Sequence, residues 1–439
     1  MIELFSILIQ ILVVTVFCYF PKNAYSFIYK KKGDFFQCLE TGAIFNIFIL
    51  LCFSFLFRKH TNELLNIFLI IYFIFNFLFL FKDIFINFNK KIFKFNSLII
   101  FFFLLIFLFS IDLANNLKIG WDAQNYWIVK KQIFTNAGDI FDLKNTPRDD
   151  YPYLGSYIWY MYAKLSILTY EYFGRIFYIY LFVLSIFAIS QISNLKKIEN
   201  IILILLIIFL IYKIKLFNGY QEVLIFSLLI LMTKNFYIFF KNKNLDENFY
   251  LSLTPLVLIM NSVIWIKNEG TIFVMILLGS IFLIKNIRPR VKIFLLLSFI
   301  FLVLGKYFLF DYIGLANEIQ KGNYEYFGIQ NFFDFINLNR IFLVFKYIFF
   351  YSLEVLIFPI SIIILLILIN SDKKNLFILF MLSLLVLSFG FILLAFLLTS
   401  FSLEWHLWVA LDRIMFQTSG FFVILIPLFY DFLRGKNLN

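Results

Sequence analysis

Residues 119–163 read IGWDAQNYWIVKKQIFTNAGDIFDLKNTPRDDYPYLGSYIWYMYA, which is the longest polar interruption in an otherwise apolar chain. Its charged residues are Asp122, Lys130, Lys131, Asp139, Asp142, Lys144, Arg148, Asp149 and Asp150. The stretch is also rich in Trp and Tyr, the side chains that collect where a membrane meets water. These features predict a polar segment at one surface of a membrane protein.

The composition around this stretch excludes a water-soluble fold. The chain has 439 residues, 63% of them hydrophobic and 22% aromatic, and its mean hydropathy is +0.92. A soluble domain is nearer half apolar. Apolar segments of roughly 17–25 residues, the length needed to cross hydrocarbon, recur along the whole chain. We therefore predict an all-α polytopic membrane protein with about 13 transmembrane helices and a periplasmic loop of short amphipathic helices.

The net charge of +12 would suggest nucleic acid in a soluble protein. Here Lys and Arg in short cytoplasmic loops account for it, so membrane lipids and not nucleic acid are the expected partners. The three cysteines form neither a disulfide framework nor a CxxC motif, and two histidines make a His-based metal site unexpected. Carboxylate-rich loops can hold a divalent cation, so such a cation stays open, with no specific metal ligands and no other cofactor predicted.

Lysine-rich turns predict the orientation. If the basic loops at residues 22–32 and 90–94 are cytoplasmic, the span over 97–113 leaves the cell just before Trp121. Later basic turns also fall inside if residues 151–169 form an interfacial or re-entrant helix instead of crossing. An excess of Phe, Ile, Asn and Lys suggests an AT-rich bacterial genome. The prediction is a multi-pass protein of the bacterial inner membrane with its active site on the periplasmic, outer face.

The sequence WDAQNYWIVKKQIF at 121–134 predicts a short amphipathic helix. Asp122, Tyr126 and Lys130 share one broad face with Asn125 at helical spacing. The other face would rest against lipid through Trp121, Trp127, Ile128 and Phe134. A carboxylate at the mouth of a membrane cavity suits a general base, because burial and neighbours tune its pKa. The alternative is an aspartate that only caps the helix.

Four motifs follow one another in an order that suggests a family. They are WDAxxYWxxK (121–130), DDYPxL (149–154), NGYQE (218–222) and KNEG (267–270). Together they resemble the GT-C membrane glycosyltransferases, in particular bacterial relatives of protein O-mannosyltransferases and lipid A aminoarabinose transferases. The resemblance covers roughly residues 97–309, and the helices before it look like an addition.

The resemblance implies transfer of a sugar from a polyprenyl-phosphate donor to a hydroxyl acceptor on a lipid, glycan or protein, with inversion. Asp122 matches the acidic residue that such enzymes use as base. Asp149 and Asp150 match a second acidic position that orients acceptor or donor. Tyr151 stands where the aminoarabinose enzymes carry a lysine, and Tyr153 replaces their second proline, so the phosphate contact and the acceptor class do not carry over.

Other polar residues are candidates on chemical grounds. A phosphate leaving group develops negative charge that fixed cations stabilise; the candidates for this are Lys130, Arg148, Lys267 and Arg413. Further candidates for the site are Tyr126, Glu222, Glu269 and His406. Five of them have a structural alternative: Arg413 could anchor a helix end, Lys267 and Glu269 could form a mutual ion pair, Glu222 could cap a helix, and His406 could be an interfacial histidine.

These predictions divide the chain into three parts. They are extra N-terminal membrane helices (1–96), a catalytic membrane core (97–310) with outer loop 114–174, and C-terminal helices (311–439) with outer loops 311–339 and 400–412.

Other functions stay open. His406 and Arg413 keep an O-antigen ligase or polymerase possible. A lipid-linked sugar flippase or other transporter would use charges at mid-membrane, with Glu354 and Lys346 as candidates. A structural membrane subunit is a fourth reading.

Overall fold

The structure is a computed structural model that describes most of the chain. It covers residues 2–29, 32–57, 63–89, 97–136, 138–193, 195–213, 216–241, 249–285, 287–316, 337–371, 375–399 and 402–435. All regular elements in these ranges are helices. The all-α fold class is therefore confirmed for the described residues. Most of the predicted outer loop 311–339 and the first two residues of loop 400–412 lie outside them.

The described residues of the first half of the chain form ten α-helices and three short helices of other types. The α-helices are α1 (Ile2–Phe17), α2 (Lys22–Tyr29), α3 (Phe35–Leu56), α4 (Glu63–Asn89), α5 (Ser97–Asn115), α6 (Ile128–Thr135), α7 (Leu154–Lys164), α8 (Ile176–Ser190), α9 (Lys197–Ile211) and α10 (Glu222–Lys241). A π-helical turn (Ala123–Trp127) precedes α6, and 3₁₀ helices occupy Ile140–Asn145 and Glu171–Arg175.

The second half continues with eight α-helices in the ranges that the structure describes. They are α11 (Phe249–Ile266), α12 (Glu269–Leu283), α13 (Pro289–Ile313), α14 (Leu338–Ser352), α15 (Ile357–Ser371), α16 (Leu376–Leu397), α17 (Leu403–Ser419) and α18 (Leu425–Leu433).

Several of these helices can cross a membrane. Within the described ranges, seven are long and apolar enough by length and composition, and counting each of two bent pairs as one span raises the number to nine. The seven are Phe35–Leu56, Glu63–Ile84, Ser97–Asn115, Glu171–Ser190, Glu222–Lys241, Pro289–Ile313 and Leu376–Leu397. A helical membrane protein is thus confirmed, whereas thirteen crossings stay a prediction.

Helix α8 is the centre of the bundle. All its side chains are buried, which fits a sequence that is apolar on every face. It packs against α1, α3, α5 and α10.

The bundle has two chemically different ends. At the polar end, Tyr212 after α9 donates a hydrogen bond to Asp112 of α5, and the stretch 119–163 follows directly. At the basic end, Arg434 pairs with Glu199 in the first turn of α9 at 2.8 Å. The polar stretch therefore lies at one end of the bundle, away from the basic turns.

Helices of the first 96 residues, predicted as an addition, form part of the core. Gln10 Nε2 of α1 donates to the carbonyl oxygen of Tyr162 at 2.7 Å. Tyr162 in turn donates to Asn46 of α3 at 2.8 Å. The hydroxyls of Ser54 and Tyr153 lie 2.9 Å apart. Tyr153 directly precedes α7 and Tyr162 lies within it. These hydrogen bonds therefore show that α1 and α3 pack against that helix.

Helix α7 belongs to the segment 151–169, which we expect not to cross the membrane. Its 11 residues extend about 16 Å, roughly half of the hydrocarbon thickness. Residues 154–162 are all buried by protein. An interfacial helix lying on the lipid surface is therefore excluded. Of the two predicted alternatives, the re-entrant helix fits the structure better.

Two helix boundaries differ from the sequence prediction. A single span expected over 341–369 is two helices, α14 and α15, at an angle of 95°. Glu354 lies in the break, half exposed and 3.7 Å from Lys213. A span expected to begin at Arg413 begins ten residues earlier, at Leu403, so Arg413 lies inside α17. Hydropathy measures apolar length, and it does not show where an apolar segment bends.

Gly42 lies where α3 meets the end of α1. A Cβ there would be 2.1 Å from the main-chain oxygen of Cys18, which cannot rotate away. Gly42→Ala is therefore expected to lower stability by about 1–3 kcal/mol, measured by thermal unfolding of the purified protein in detergent. Gly305→Ala in α13 is the control, because no atom lies within 4 Å of its added Cβ. Equal losses in both variants would contradict this packing.

Candidate functional site

Four segments that are distant in sequence meet at the polar end. They are the turn at 120–127, the loop 218–222, the turn 267–270 and the middle of α17. The amide of Gly120 donates to the carbonyl oxygen of Asn218 at 2.8 Å. Gly219 has a φ of +87°, and a Cβ there would be 2.7 Å from the ring of Trp159, so glycine is required for this approach.

Arg413 of α17 joins carboxylates from two of these segments. Its Nη2 lies 2.5 Å from Asp122 Oδ2, and its Nε donates to Glu222 Oε1 at 2.8 Å. The guanidinium also lies over the ring of Tyr220, 4.5 Å from its centroid. The side chains of Asp122 and Arg413 are 22% and 20% exposed, so this pair borders the surface. Asp122 makes no capping hydrogen bond, which removes the alternative of a purely capping aspartate.

Lys267 extends the same cluster inward. Its ammonium lies 3.0 Å from Glu222 Oε1 and 2.9 Å from Glu269 Oε1. Burial lowers the pKa of Lys267, but the two carboxylates outweigh it and hold the pKa above its ordinary value, so the ammonium is charged at neutral pH. Glu222 and Glu269 each keep a second, buried oxygen with no hydrogen-bond partner among the described residues.

We call these five residues (Asp122, Glu222, Lys267, Glu269 and Arg413) the Arg413 cluster. Three carboxylates and two cations give it a net negative charge. Lys267 and Glu269 do form the ion pair that was the structural alternative, but Lys267 also pairs with Glu222. Arg413 is not a helix-end anchor, because it lies in the interior of α17.

A second group, the Arg148 turn (residues 148–151), lies on the other side of Lys267. Arg148 donates from Nε and Nη2 to the two carboxylate oxygens of Asp150, at 3.0 and 2.8 Å. Its guanidinium lies over the ring of Tyr151 at 4.3 Å. Asp149 accepts a hydrogen bond from the amide of Ala316, after α13, at 3.3 Å. Arg148 is the one non-glycine residue of the described chain with a positive φ, 56°.

Buried donors hold the main chain of this turn. Lys130, buried in α6, donates to the carbonyl oxygens of Arg148, at 2.8 Å, and of Tyr151. Asn268 donates to the carbonyl oxygen of Asp150 at 3.1 Å and accepts from Lys306 of α13 at 3.0 Å. Lys130, predicted as a phosphate ligand, is therefore bound to main chain in this structure.

Sequence reasoning missed Asn268, Lys306 and Tyr220. Two of them lie in motifs that the sequence had singled out, KNEG and NGYQE, but were not assigned a role. Lys306 had a signal of its own, since a single lysine in an otherwise apolar helix is costly and usually has a partner or a function.

Aromatic rings lie between the two groups. Tyr126 is 6.2 Å from the ring of Tyr151, and Trp121 packs edge-on against Tyr126 at 5.7 Å. Burial and then the charge of Asp122 raise the pKa of Tyr126 above its ordinary value, so its phenol is neutral. We call the rings of Trp121, Tyr126 and Tyr151 the aromatic floor. The Asp122–Arg413 pair lies on one side of it and the Asp150–Arg148 pair on the other. This arrangement suits a sugar ring with a charged group attached.

The predicted amphipathic helix is present, but its faces differ from the prediction. Trp127 and Phe134 are buried in protein against Tyr151 and Tyr153, not against lipid. Asp122 and Lys130 also point to different partners. The reason is the π-helical turn at Ala123–Trp127: its i→i+5 hydrogen bonds insert a residue into the turn and change the helical phase.

His406 lies apart from these contacts. Its Nδ1 is 2.7 Å from the hydroxyl of Thr399, and it stands seven residues before Arg413 in α17, a rise of about 10 Å. Among the described residues, no group of three or more His, Cys, Asp or Glu side chains could hold a metal ion.

No family model, curated protein or solved structure matches this chain.

Proposed function

We propose that this chain is an inverting membrane glycosyltransferase that moves a sugar from a polyprenyl-phosphate donor to a hydroxyl acceptor at the outer face of a bacterial inner membrane. The observation that supports it best is the position of Asp122. Its carboxylate is partly exposed, pairs with Arg413 and lies near Tyr126 of the aromatic floor. Arg148 lies over Tyr151, the ring next to Tyr126. A base, a platform for a sugar and cations for a phosphate are thus close together.

The reaction needs one base and one anion site. Asp122 accepts the proton of the acceptor hydroxyl as the oxygen attacks the anomeric carbon. The bond from that carbon to the phosphate oxygen breaks on the opposite side, and the phosphate leaves with the electron pair. Attack opposite the leaving group inverts the anomeric configuration. Cations near the leaving oxygen stabilise its growing charge.

The four candidate phosphate ligands differ in how exposed they are and in how many of their donor groups already bind protein oxygens. Lys130 and Lys267 are buried and bound to carbonyl or carboxylate oxygens. Arg413 is shared by Asp122 and Glu222. Arg148 uses only its Nε–Nη2 edge on Asp150, and its side chain is 32% exposed. Arg148 is therefore the first choice for the phosphate, with Arg413 next to the reacting carbon.

The orientation is part of the proposal. Exposed basic residues begin α9 and α13 and follow α18 at the basic end, as in Lys197, Arg290 and Arg434. At the polar end Lys130, Lys267 and Arg413 are instead paired with protein oxygens. Basic loops favour the cytoplasm, which supports an outer location for the Arg413 cluster.

A lipid-linked sugar transporter is the second candidate. The sequence candidates for it, Glu354 and Lys346, are both exposed, which weakens it. An ion pair between Glu40 of α3 and Lys234 of α10 favours it, because both side chains are buried between helices, and buried charges in membrane bundles often mark transport paths.

The test is transfer in proteoliposomes that contain the purified chain and defined polyprenyl-phosphate sugars with a hydroxyl acceptor. We expect release of polyprenyl phosphate and a product whose anomeric configuration, read by NMR, is inverted. A product with retained configuration would contradict the mechanism. Movement of the donor between leaflets without any transfer would favour the transporter instead.

A further inference from the structure

We infer that Lys130 is a positioning residue: it holds the Arg148 turn in a strained conformation that presents the Arg148 guanidinium to the phosphate of the donor. This inference rests on the proposed function, but it assigns Lys130 a different role from that of a direct phosphate ligand. It also names the residue through which the anion is recognised.

The Arg148 turn is strained at its first residue. Residues with a Cβ rarely adopt a left-handed backbone, and arginine has no short polar side chain that would favour it locally. A residue stays in such a conformation only where its surroundings impose it, and these places cluster at functional sites. Arg148, with its φ of 56°, directly precedes the acidic DDYPxL motif at 149–154.

What imposes the conformation is visible in the hydrogen bonds. Lys130 reaches the carbonyl oxygens of Arg148 and Tyr151 with one ammonium, and so bridges the two ends of the turn. Asn268 binds the carbonyl oxygen between them, that of Asp150. The side chain of Lys130 is buried, so these oxygens would have no solvent to replace it. Loss of Lys130 would remove the described donor to the Tyr151 oxygen and leave the Arg148 oxygen with only the amide of Tyr151, at 3.0 Å. With its two ends no longer bridged, the turn would relax.

The side chain of Arg148 is fixed as a consequence. One edge of its guanidinium is held by Asp150, and one face lies on Tyr151. The N–H groups of Nη1 make no hydrogen bond in the described structure, and they form the edge that a phosphate can approach. An arginine fixed in this way loses little side-chain entropy when an anion binds.

The experiment compares Lys130→Met with Lys131→Met, whose side chain is neighbouring but makes no bond to the turn. Binding of farnesyl phosphate to the purified full chain is the first readout. We expect Lys130→Met to weaken it roughly 10- to 100-fold, as for loss of charge-assisted hydrogen bonds, and to raise KM for the donor with kcat within about twofold. Lys131→Met should match the wild type.

Two further readouts separate positioning from general damage. Amide exchange at residues 148–152 should accelerate in Lys130→Met, whatever the protein's activity. In an Arg148→Gln background, Lys130→Met should weaken binding no further, because the group that it positions is gone. Additive losses, or unchanged exchange, would overturn the inference.

The strain has a test that leaves Lys130 in place, which serves if Lys130→Met does not insert into membranes. Arg148→Gly should unfold at a higher temperature than Arg148→Ala, because glycine adopts a positive φ freely. The reverse order would overturn the strained turn. Failure of the wild type to bind farnesyl phosphate would overturn the proposed function, whereas binding that Lys130→Met leaves unchanged would overturn only this inference.

Discussion

Replacing Asp122 by asparagine is expected to lower sugar transfer by about 10²- to 10⁴-fold, the usual contribution of a general base. Asparagine keeps the shape of the side chain but cannot accept the acceptor's proton at neutral pH. Little stability should be lost. Arg413 keeps its bonds to Glu222, and its pairing with Asp122 is partly exposed, a class of ion pair that contributes at most about 1 kcal/mol.

The measurement is the initial rate of transfer in membranes that contain equal amounts of each variant. Asp142→Asn is the matched control. It removes a carboxylate from the same polar stretch, but Asp142 is exposed and only accepts the amide of Asp139. Normal transfer by Asp122→Asn would refute its role as base and leave Asp149 and Asp150 as the carboxylates to test.

The largest loss of stability is expected from Lys267→Met. Methionine fills a similar volume but leaves the buried carboxylate of Glu222 and the partly exposed carboxylate of Glu269 with one cation fewer. Removing one partner of a buried ion pair typically costs about 3–5 kcal/mol. We expect a much lower unfolding temperature in detergent and no transfer.

Two variants define the cause of that loss. Glu269→Gln should cost far less, because this side chain is 25% exposed and the bond between Lys267 and Glu222 survives. The double variant Lys267→Met with Glu222→Gln should recover part of the stability, since it removes a buried carboxylate that Arg413 alone would otherwise have to balance. A double variant no more stable than Lys267→Met alone would show that packing, and not charge, causes the loss.

The sequence was sufficient for the fold class and for the segments that form the site. Apolar length identified the seven described helices that are long enough to cross a membrane singly, and thirteen crossings stay a prediction. The motifs at 121–130, 149–154, 218–222 and 267–270 do meet. The pairing within the site was out of reach. Arg413 faces Asp122 only because α17 begins at Leu403, which hydropathy does not reveal.

Burial was equally hard to read from the pattern of side chains. A run of Tyr and Trp suits both a membrane surface and the interior of a bundle, so the position of α7 depends on the helices around it. The sequence also cannot show whether Lys130 binds a phosphate or is buried as a donor to main-chain oxygens, because both roles use the same residue type. Placing Lys130 on the same helix face as Asp122 relied on regular α-helical spacing, which the π-helical turn before α6 interrupts.

The Arg413 cluster also places a condition on synthesis. Glu222 and Arg413 are 191 residues apart, so at usual translation rates roughly 10 to 40 s separate their appearance at the ribosome. During that interval the carboxylates of Asp122, Glu222 and Glu269 are in place with Lys267 as the cluster's one cation. The cluster is completed only when the penultimate helix is made, so a nascent chain released before that helix carries an unbalanced acidic site.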